Sequence, residues 1–103
     1  MVSECDSIIR TAIPAVRVAV ARLLKRKYKM GQQEIADRLG ITQASVNKYI
    51  NGDYSERIAM VAARIKEMGL DNRIAKLAAS GSHADTVNKS IDLAASSVYL
   101  RLR

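Results

Sequence analysis

Residues 32–51, QQEIADRLGITQASVNKYIN, form the stretch that decides the fold of this chain. If the stretch makes two short helices with a break between them, its apolar and small side chains share one inner face: Ile35, Ala36, Leu39, Ile41, Val46 and Tyr49. Gly40 stands at the break, where a helix that ends abruptly needs a residue free to adopt positive φ. Thr42 offers a hydroxyl for the N-cap of the second helix, and Gly52 is its stop signal. The spacing therefore predicts a helix-turn-helix, whose second helix suits the DNA major groove.

Helical periodicity continues before this motif, and no alternating strand pattern of useful length appears in the chain. We expect a short helix over 3–11 with Ile8 and Ile9 facing inward. Pro14 suits the first turn of the next helix, where its missing N–H costs nothing, so we expect that helix over 14–28. Its predicted inward side chains are Val16, Ala19, Val20, Leu23 and Leu24.

Three further helices are predicted after the motif. Ser55 is expected to cap a helix over 55–68 that ends at Gly69, with inward side chains Ile58, Val61, Ala62 and Ile65. Asp71 is expected to cap a short helix that carries Ile74, Leu77 and Ala78 inward and stops in the break at 80–82. A long helix over 85–102 follows. The predicted fold is an all-α, compact helical bundle with one extra C-terminal helix.

The last helix carries an apolar stripe that must be covered. The stripe recurs at helical spacing through Val87, Ile91, Ala94, Val98 and Leu102. It can fold back on its own domain or pair with its twin across a two-fold axis, and we favour dimerisation because helix-turn-helix proteins commonly bind paired half-sites. The predicted organisation is thus a DNA-binding domain over 1–81, with its core at 14–69, and a dimerisation helix within 82–103.

The charge of the chain favours a polyanionic partner. The 103 residues carry a formal net charge of +7. Residues 1–51 hold nine Lys or Arg against four Asp or Glu, and residues 52–103 hold eight against six, so the excess lies with the motif. A basic cluster ends the 14–28 helix, made of Arg22, Lys25, Arg26, Lys27 and Lys29. Two interpretations stay open: the cations stabilise the C-terminus of their own helix, or they contact DNA phosphates.

Composition argues against several other functions. Four Tyr with no Trp or Phe disfavour single-strand or RNA binding through stacked bases. A lone cysteine, Cys5, and a lone histidine, His83, provide neither a zinc site nor a nucleophile–base pair, so we expect no enzyme activity, metal or cofactor. A single cysteine that forms no disulfide fits a reducing compartment, so we expect the protein in the cytoplasm. Arg17 and Arg22 interrupt the longest apolar stretch, 12–24, so no membrane span is expected.

A family resemblance rests on residues 14–53, PAVRVAVARLLKRKYKMGQQEIADRLGITQASVNKYINGD. Across 14–69, about half of the chain, the sequence resembles lambda-repressor-like, or Cro/XRE-type, helix-turn-helix domains, and it is similar to a group of archaeal predicted transcriptional regulators. In that group a proline, a long helix, a basic patch, the pattern Q-x-E-x-A-x-x-L-G-I-T-Q-A-x-V and a closing N-G or S-G recur.

The resemblance implies roles for several polar residues. In such domains a glutamine at the start of the first motif helix contacts phosphate and braces the next glutamine; here it is Gln32 or its neighbour Gln33. The second glutamine, Gln43, begins the recognition helix 43–51, and its amide matches adenine N6 and N7. Asn51 matches a position that binds phosphate at the far end of that helix.

The other exposed positions of the recognition helix are interpreted from their chemistry alone. Ala44 suits a thymine methyl, Ser45 a base or phosphate, and Asn47 and Lys48 point outward toward bases or backbone. Because the exposed side chains of this helix are small and mostly neutral, phosphate contacts from the basic cluster should supply most of the affinity for DNA. The expected function is a sequence-specific, dimeric regulator of transcription that binds double-stranded DNA. The alternative is a small protein-interaction or antitoxin-like module that keeps the fold without reading DNA.

Overall fold

Six α-helices follow one another in the computed structural model, which describes the backbone of residues 4–102 and the side-chain surroundings of 10–98 and of Leu100. They are α1 (Glu4–Tyr28), α2 (Gln32–Leu39), α3 (Gln43–Asn51), α4 (Glu56–Glu67), α5 (Leu70–Ala79) and α6 (Ala84–Leu102). Residues 4–102 contain no β-strand. The predicted all-α bundle is confirmed.

The first helix differs from the prediction. α1 runs without interruption through Pro14, so the expected division into two helices at this residue is wrong. A proline inside a helix removes one backbone hydrogen bond and crowds the preceding turn. Here Ala12, Ala15 and Val16 are fully buried on both sides of the proline, and packing against the neighbouring helices outweighs that local cost. Ile8, Ile9 and Cys5 lie outside the residues whose side chains are described.

α1 is the central helix of the bundle and contacts all five others. All five side chains predicted to face inward from its second half are buried: Val16, Ala19, Val20, Leu23 and Leu24. They share one core with Ile35 and Leu39 from α2, Val46 from α3, and buried residues of α4 to α6. The helix that carries the basic cluster is therefore also the helix against which the motif is held.

α2 and α3 form the predicted helix-turn-helix. Gly40 has φ 66°, the Thr42 side chain accepts a hydrogen bond of 3.1 Å from the Ser45 N–H, and Gly52 has φ 77°. Ile35, Ala36, Leu39 and Val46 are buried, while Ile41 and Tyr49 pack half-buried against the core. The turn glycine, the cap and the inner face are confirmed.

α4 and α5 confirm one of the two N-caps predicted for them. The Ser55 hydroxyl accepts a hydrogen bond of 3.2 Å from the Ile58 N–H, and Gly69, at φ 75°, separates the two helices. Ile65 is buried, and the other three predicted side chains of α4 are half-buried. The N-cap predicted at Asp71 is wrong, because α5 begins at Leu70 with Gly69 before it. The buried Asp71 carboxylate instead accepts from the Asn72 N–H inside the first turn, where a negative charge favours the helix dipole.

α6 folds back on its own chain. Val87, Ile91, Ala94 and Val98 are buried where α6 packs against α1, α2 and α5, and Leu102 lies outside the described side chains. Asn88 Nδ2 donates 3.0 Å to the Leu39 carbonyl at the end of α2. The described part of the apolar stripe, from Val87 to Val98, is thus covered within one protomer. Among the described helices, none is long and apolar enough to cross a membrane.

Candidate nucleic-acid interface

The outer face of α3 presents polar and small side chains to solvent. Gln43, Ala44, Asn47 and Lys48 are exposed, whereas Val46 on the opposite side is buried. Ser45 is half-buried, and its hydroxyl oxygen accepts a hydrogen bond of 2.9 Å from the Thr42 hydroxyl at the N-cap. The four exposed residues repeat with helical spacing and therefore form one surface, with Ser45 held at its edge by the cap.

Three predicted site residues are joined by their side-chain amides. Gln32 Nε2 donates 3.2 Å to Asn47 Oδ1, and Asn51 Nδ2 donates 3.0 Å to the same oxygen. Gln32 thus braces Asn47, in contrast to the contact with Gln43 that the family resemblance implies. Gln33 is exposed on α2 and donates 3.1 Å to Asp37 within that helix.

Four residues of the basic cluster lie together beside the end of α3. Arg22, Lys25, Arg26 and Lys29 line one groove with Ile50, and all four are exposed. Their spacing of three, four and seven residues from Arg22 puts them on one side of α1 and just beyond it. Among the residues whose side chains the structure describes, none that lines this groove is acidic. We call these four cations and Ile50 the basic groove.

Lys27 lies apart from the basic groove. Its ammonium donates 3.2 Å to Asn72 Oδ1 on α5 and stands 5.6 Å from the centroid of the Tyr28 ring. Residue 27 projects from another side of α1 than residue 22. Five residues rotate a helix by about 500°, which leaves the two side chains about 140° apart around the helix axis. The structure therefore brings four of the five predicted cations to one surface.

Arg22 has neighbours that sequence reasoning missed. Its Nη1 donates 3.3 Å to the Tyr49 carbonyl, 3.5 Å to the Ile50 carbonyl and 3.3 Å to the Tyr54 hydroxyl. The sequence signal was ambiguous, because a cation in the last turns of α1 suggests interaction with the C-terminus of its own helix. Only the packing of α3 across α1 shows that a different helix end is the partner.

His83 is an exposed residue of the turn before α6. Its Nδ1 lies 3.6 Å from an Asp85 carboxylate oxygen and accepts a hydrogen bond of 3.2 Å from the Asp85 N–H. Within the described residues, no group of three or more His, Cys, Asp and Glu side chains could hold a metal ion. The polar groups of the candidate surface are the amides of Gln and Asn, the Ser45 hydroxyl and the cations of Lys48 and the basic groove.

Comparison with known families gives one match. Residues 20–70 match a family model described as helix-turn-helix, over the segment from the second half of α1 to the first residue of α5. No curated protein and no solved structure matches the chain. The matched segment contains the exposed face of α3 and the basic groove.

Proposed function

We propose that this chain, whose residues 20–70 match a DNA-binding helix-turn-helix family, is a transcription regulator that reads a specific duplex sequence with α3 in the major groove. One observation carries the proposal: the exposed amide face of α3 adjoins a groove whose described lining contains four cations and no acidic residue. Amides suit base edges, and cations suit phosphates. A duplex offers both chemistries within a few ångströms.

The roles divide by position along the surface. Gln43, at the N-terminus of α3, is proposed to contact adenine, with Ala44, Ser45 and Lys48 beside it. Phosphate contacts are assigned to Lys25, Arg26, Lys29, Gln32, Gln33 and Asn51. Lys27 is left out because it is bonded to α5.

Asn47 has a more definite assignment. Its Oδ1 already accepts two hydrogen bonds, from Gln32 and Asn51. Because an amide oxygen has two lone pairs, the side chain offers DNA its NH₂ group, a donor. The acceptors available to it in the major groove are purine N7, guanine O6 and thymine O4.

The proposal is tested by selecting bound duplexes from a random pool and measuring affinity on the selected site and on single mismatches. If Gln43 reads a base, Gln43→Ala costs about 1–3 kcal/mol on the selected site and relaxes preference at one position. Lys48→Ala is the matched control on the same helix face; if Lys48 meets phosphate, it weakens all duplexes alike. Equal loss for Gln43→Ala on matched and mismatched sites would defeat the base-reading role.

Homodimerisation through α6 remains a prediction, but the surface of α6 that would form the interface differs from the one the sequence suggested. The described part of the stripe that suggested it is buried within the protomer, so a second copy has to use the outer face of α6. Leu93 and Leu100 lie on that face, 71% and 64% exposed and seven residues apart. We propose that two protomers pair there, because a two-fold arrangement gives the paired recognition helices that a symmetric DNA site requires.

The same face supports the second candidate function. A groove between α5 and α6, lined in part by Leu70, Leu77 and Leu93, suits an apolar helix of another protein. This would be the interaction or antitoxin-like module. Affinity for duplex DNA that does not change with salt would favour it over the regulator.

Two further predictions apply to either function. We place the protein in the cytoplasm, and the similarity to archaeal regulators stays a prediction.

A further inference from the structure

We propose that the main role of Arg22 is to position the recognition helix against α1, rather than to contact phosphate. The proposal rests on α3 being the helix that reads DNA. It changes the role of a residue whose place in a basic cluster, taken alone, suggests a contact with the DNA backbone.

The acceptors of Arg22 explain why a guanidinium is suited to this position. The last carbonyls of a helix lack intrahelical partners, and the C-terminal end of the helix dipole is negative. The Lys48 carbonyl is satisfied by the Asp53 N–H at 2.9 Å, and the Tyr49 carbonyl receives the Gly52 N–H at a longer 3.4 Å. Arg22 supplies a charged donor to the Tyr49 and Ile50 carbonyls. The end of α3 therefore depends on a side chain of α1.

The third acceptor extends the contact beyond α3. Tyr54 lies in the connection to α4, and its hydroxyl accepts from the same Arg22 nitrogen at 3.3 Å. The side chain thus joins α1, the end of α3 and the segment that leads to α4. Because Val18 and Leu23 on α1 are buried in the core, Arg22 projects from a firmly packed helix. Its hydrogen bonds set the position of the far end of α3, while the Thr42 cap and the turn set the near end.

The neighbours of Arg22 in the basic groove behave differently. Lys25, Arg26 and Lys29 donate no hydrogen bond to any group in the part of the chain that the structure describes. Their charges are therefore available to an anionic ligand. Arg22 differs because its Nη1 already donates to three groups of the protein, which leaves only Nε and Nη2 for an outside ligand. The groove therefore combines three cations that bind with one that holds the helix.

The variant Arg22→Lys separates the two roles because it keeps the positive charge and removes the Nη1 group that donates the three hydrogen bonds. Binding is measured over a range of salt on the duplex selected from a random pool and on an unrelated duplex of the same length. We expect about 3- to 10-fold weaker binding to the selected duplex, as for the loss of one or two hydrogen bonds, and under about 2-fold on the unrelated one. The salt slope stays unchanged. Lys25→Gln is the control: it weakens both duplexes and reduces the slope by about 0.9.

Tyr54→Phe provides a variant that leaves every cation of the basic groove in place. It removes only the hydroxyl acceptor, and we expect a smaller loss than Arg22→Lys, again confined to the selected duplex. The double variant should lose less than the sum of the two single effects, since both changes affect one set of hydrogen bonds. Additive losses, or Arg22→Lys binding like the unaltered protein on both duplexes, would overturn the positioning role.

Amide hydrogen exchange tests the same contact without DNA. In Arg22→Lys we expect exchange at Ile50, Asn51 and Asp53 to rise about 3- to 10-fold. Ile74 and Ala75 on α5 should exchange at unaltered rates, which separates local loosening of α3 from general destabilisation. Unchanged exchange at the end of α3 would overturn the proposal. Faster exchange there, in a protein that prefers no duplex, would support the contact and instead refute DNA reading.

Discussion

At the residue scale, Gly40 connects the motif to the rest of the bundle. It adopts φ 66°, a conformation that costs most other residues about 1–2 kcal/mol. A Cβ added there would also lie 3.3 Å from Asn88 Nδ2 and 3.4 Å from the Ala84 Cβ at the start of α6. The sequence predicted the backbone requirement. It could not predict the close approach, because α6 lies more than forty residues along the chain.

Gly40→Ala and Gly52→Ala separate these two requirements. Both positions have positive φ, but a Cβ at Gly52 would meet nothing within 4 Å. We expect Gly52→Ala to reduce the free energy of unfolding by about 1 kcal/mol, from backbone strain alone. Gly40→Ala should cost more, because Asn88 or the start of α6 must also shift. Urea denaturation of both variants measures the difference, and equal losses would show that the contact with α6 is unimportant.

At the element scale, helix ends are satisfied by side chains from other helices. Asn88 on α6 donates to the last carbonyl of α2, Arg38 on α2 donates 3.2 Å to the Ala78 carbonyl near the end of α5, and Arg22 on α1 donates to the end of α3. Such contacts join elements that are distant in sequence. Local caps such as Thr42 and Ser55 could be predicted because donor and acceptor are three residues apart.

The Asn88 contact gives a prediction about how α6 supports the motif. Asn88→Ala removes the donor to the Leu39 carbonyl, and we expect a loss of about 1 kcal/mol in the free energy of unfolding. Asn88→Asp should lose at least as much, since an ionised carboxylate only accepts hydrogen bonds. Lys89→Ala, at the exposed neighbouring position, is the control and should stay within about 0.5 kcal/mol of the unaltered protein. Thermal or urea unfolding distinguishes these outcomes; wild-type stability in Asn88→Ala would refute the supporting role.

Pro14 shows how the whole bundle can override a local signal. From sequence, a proline shortly after a predicted short helix indicates the start of the next helix. In the structure the residues on both sides of it belong to one buried face, and α1 continues through it.

The apolar stripe of α6 likewise could not be fully interpreted from local spacing. Its spacing predicted correctly that it is covered, but the choice between a twin helix and its own domain depended on where α1, α2 and α5 lie.

At the scale of the whole molecule, the outer face of α6 tests the proposed dimer. Leu93→Lys puts a charge on that face; if the proposed dimer forms there, the variant sediments as a monomer at concentrations where the unaltered protein sediments as a dimer. Met60→Lys is the matched control, because Met60 is 73% exposed on α4, outside the proposed interface. Identical sedimentation of the two variants and the unaltered protein would show that this face does not mediate self-association.

The candidate site also depends on the whole molecule. The sequence predicted which face of α3 is exposed and which end of α1 is basic, because both follow from local spacing and charge. It did not show that, among the described residues, three of the cations donate no hydrogen bond within the protein, one is bonded to the end of α3 and one is bonded to α5. Nor did it predict that Gln32 braces Asn47, since that contact depends on the angle at which α2 and α3 cross.

The central claim is that α3 and the basic groove together read duplex DNA. The most direct test is the affinity of the unaltered protein for the duplex selected from a random pool and for a scrambled duplex of equal length, measured across salt concentrations. We predict that both affinities fall as salt rises and that the selected duplex binds at least about 1,000-fold more tightly. Equal affinity for the two duplexes, or binding that does not depend on salt, would contradict the account.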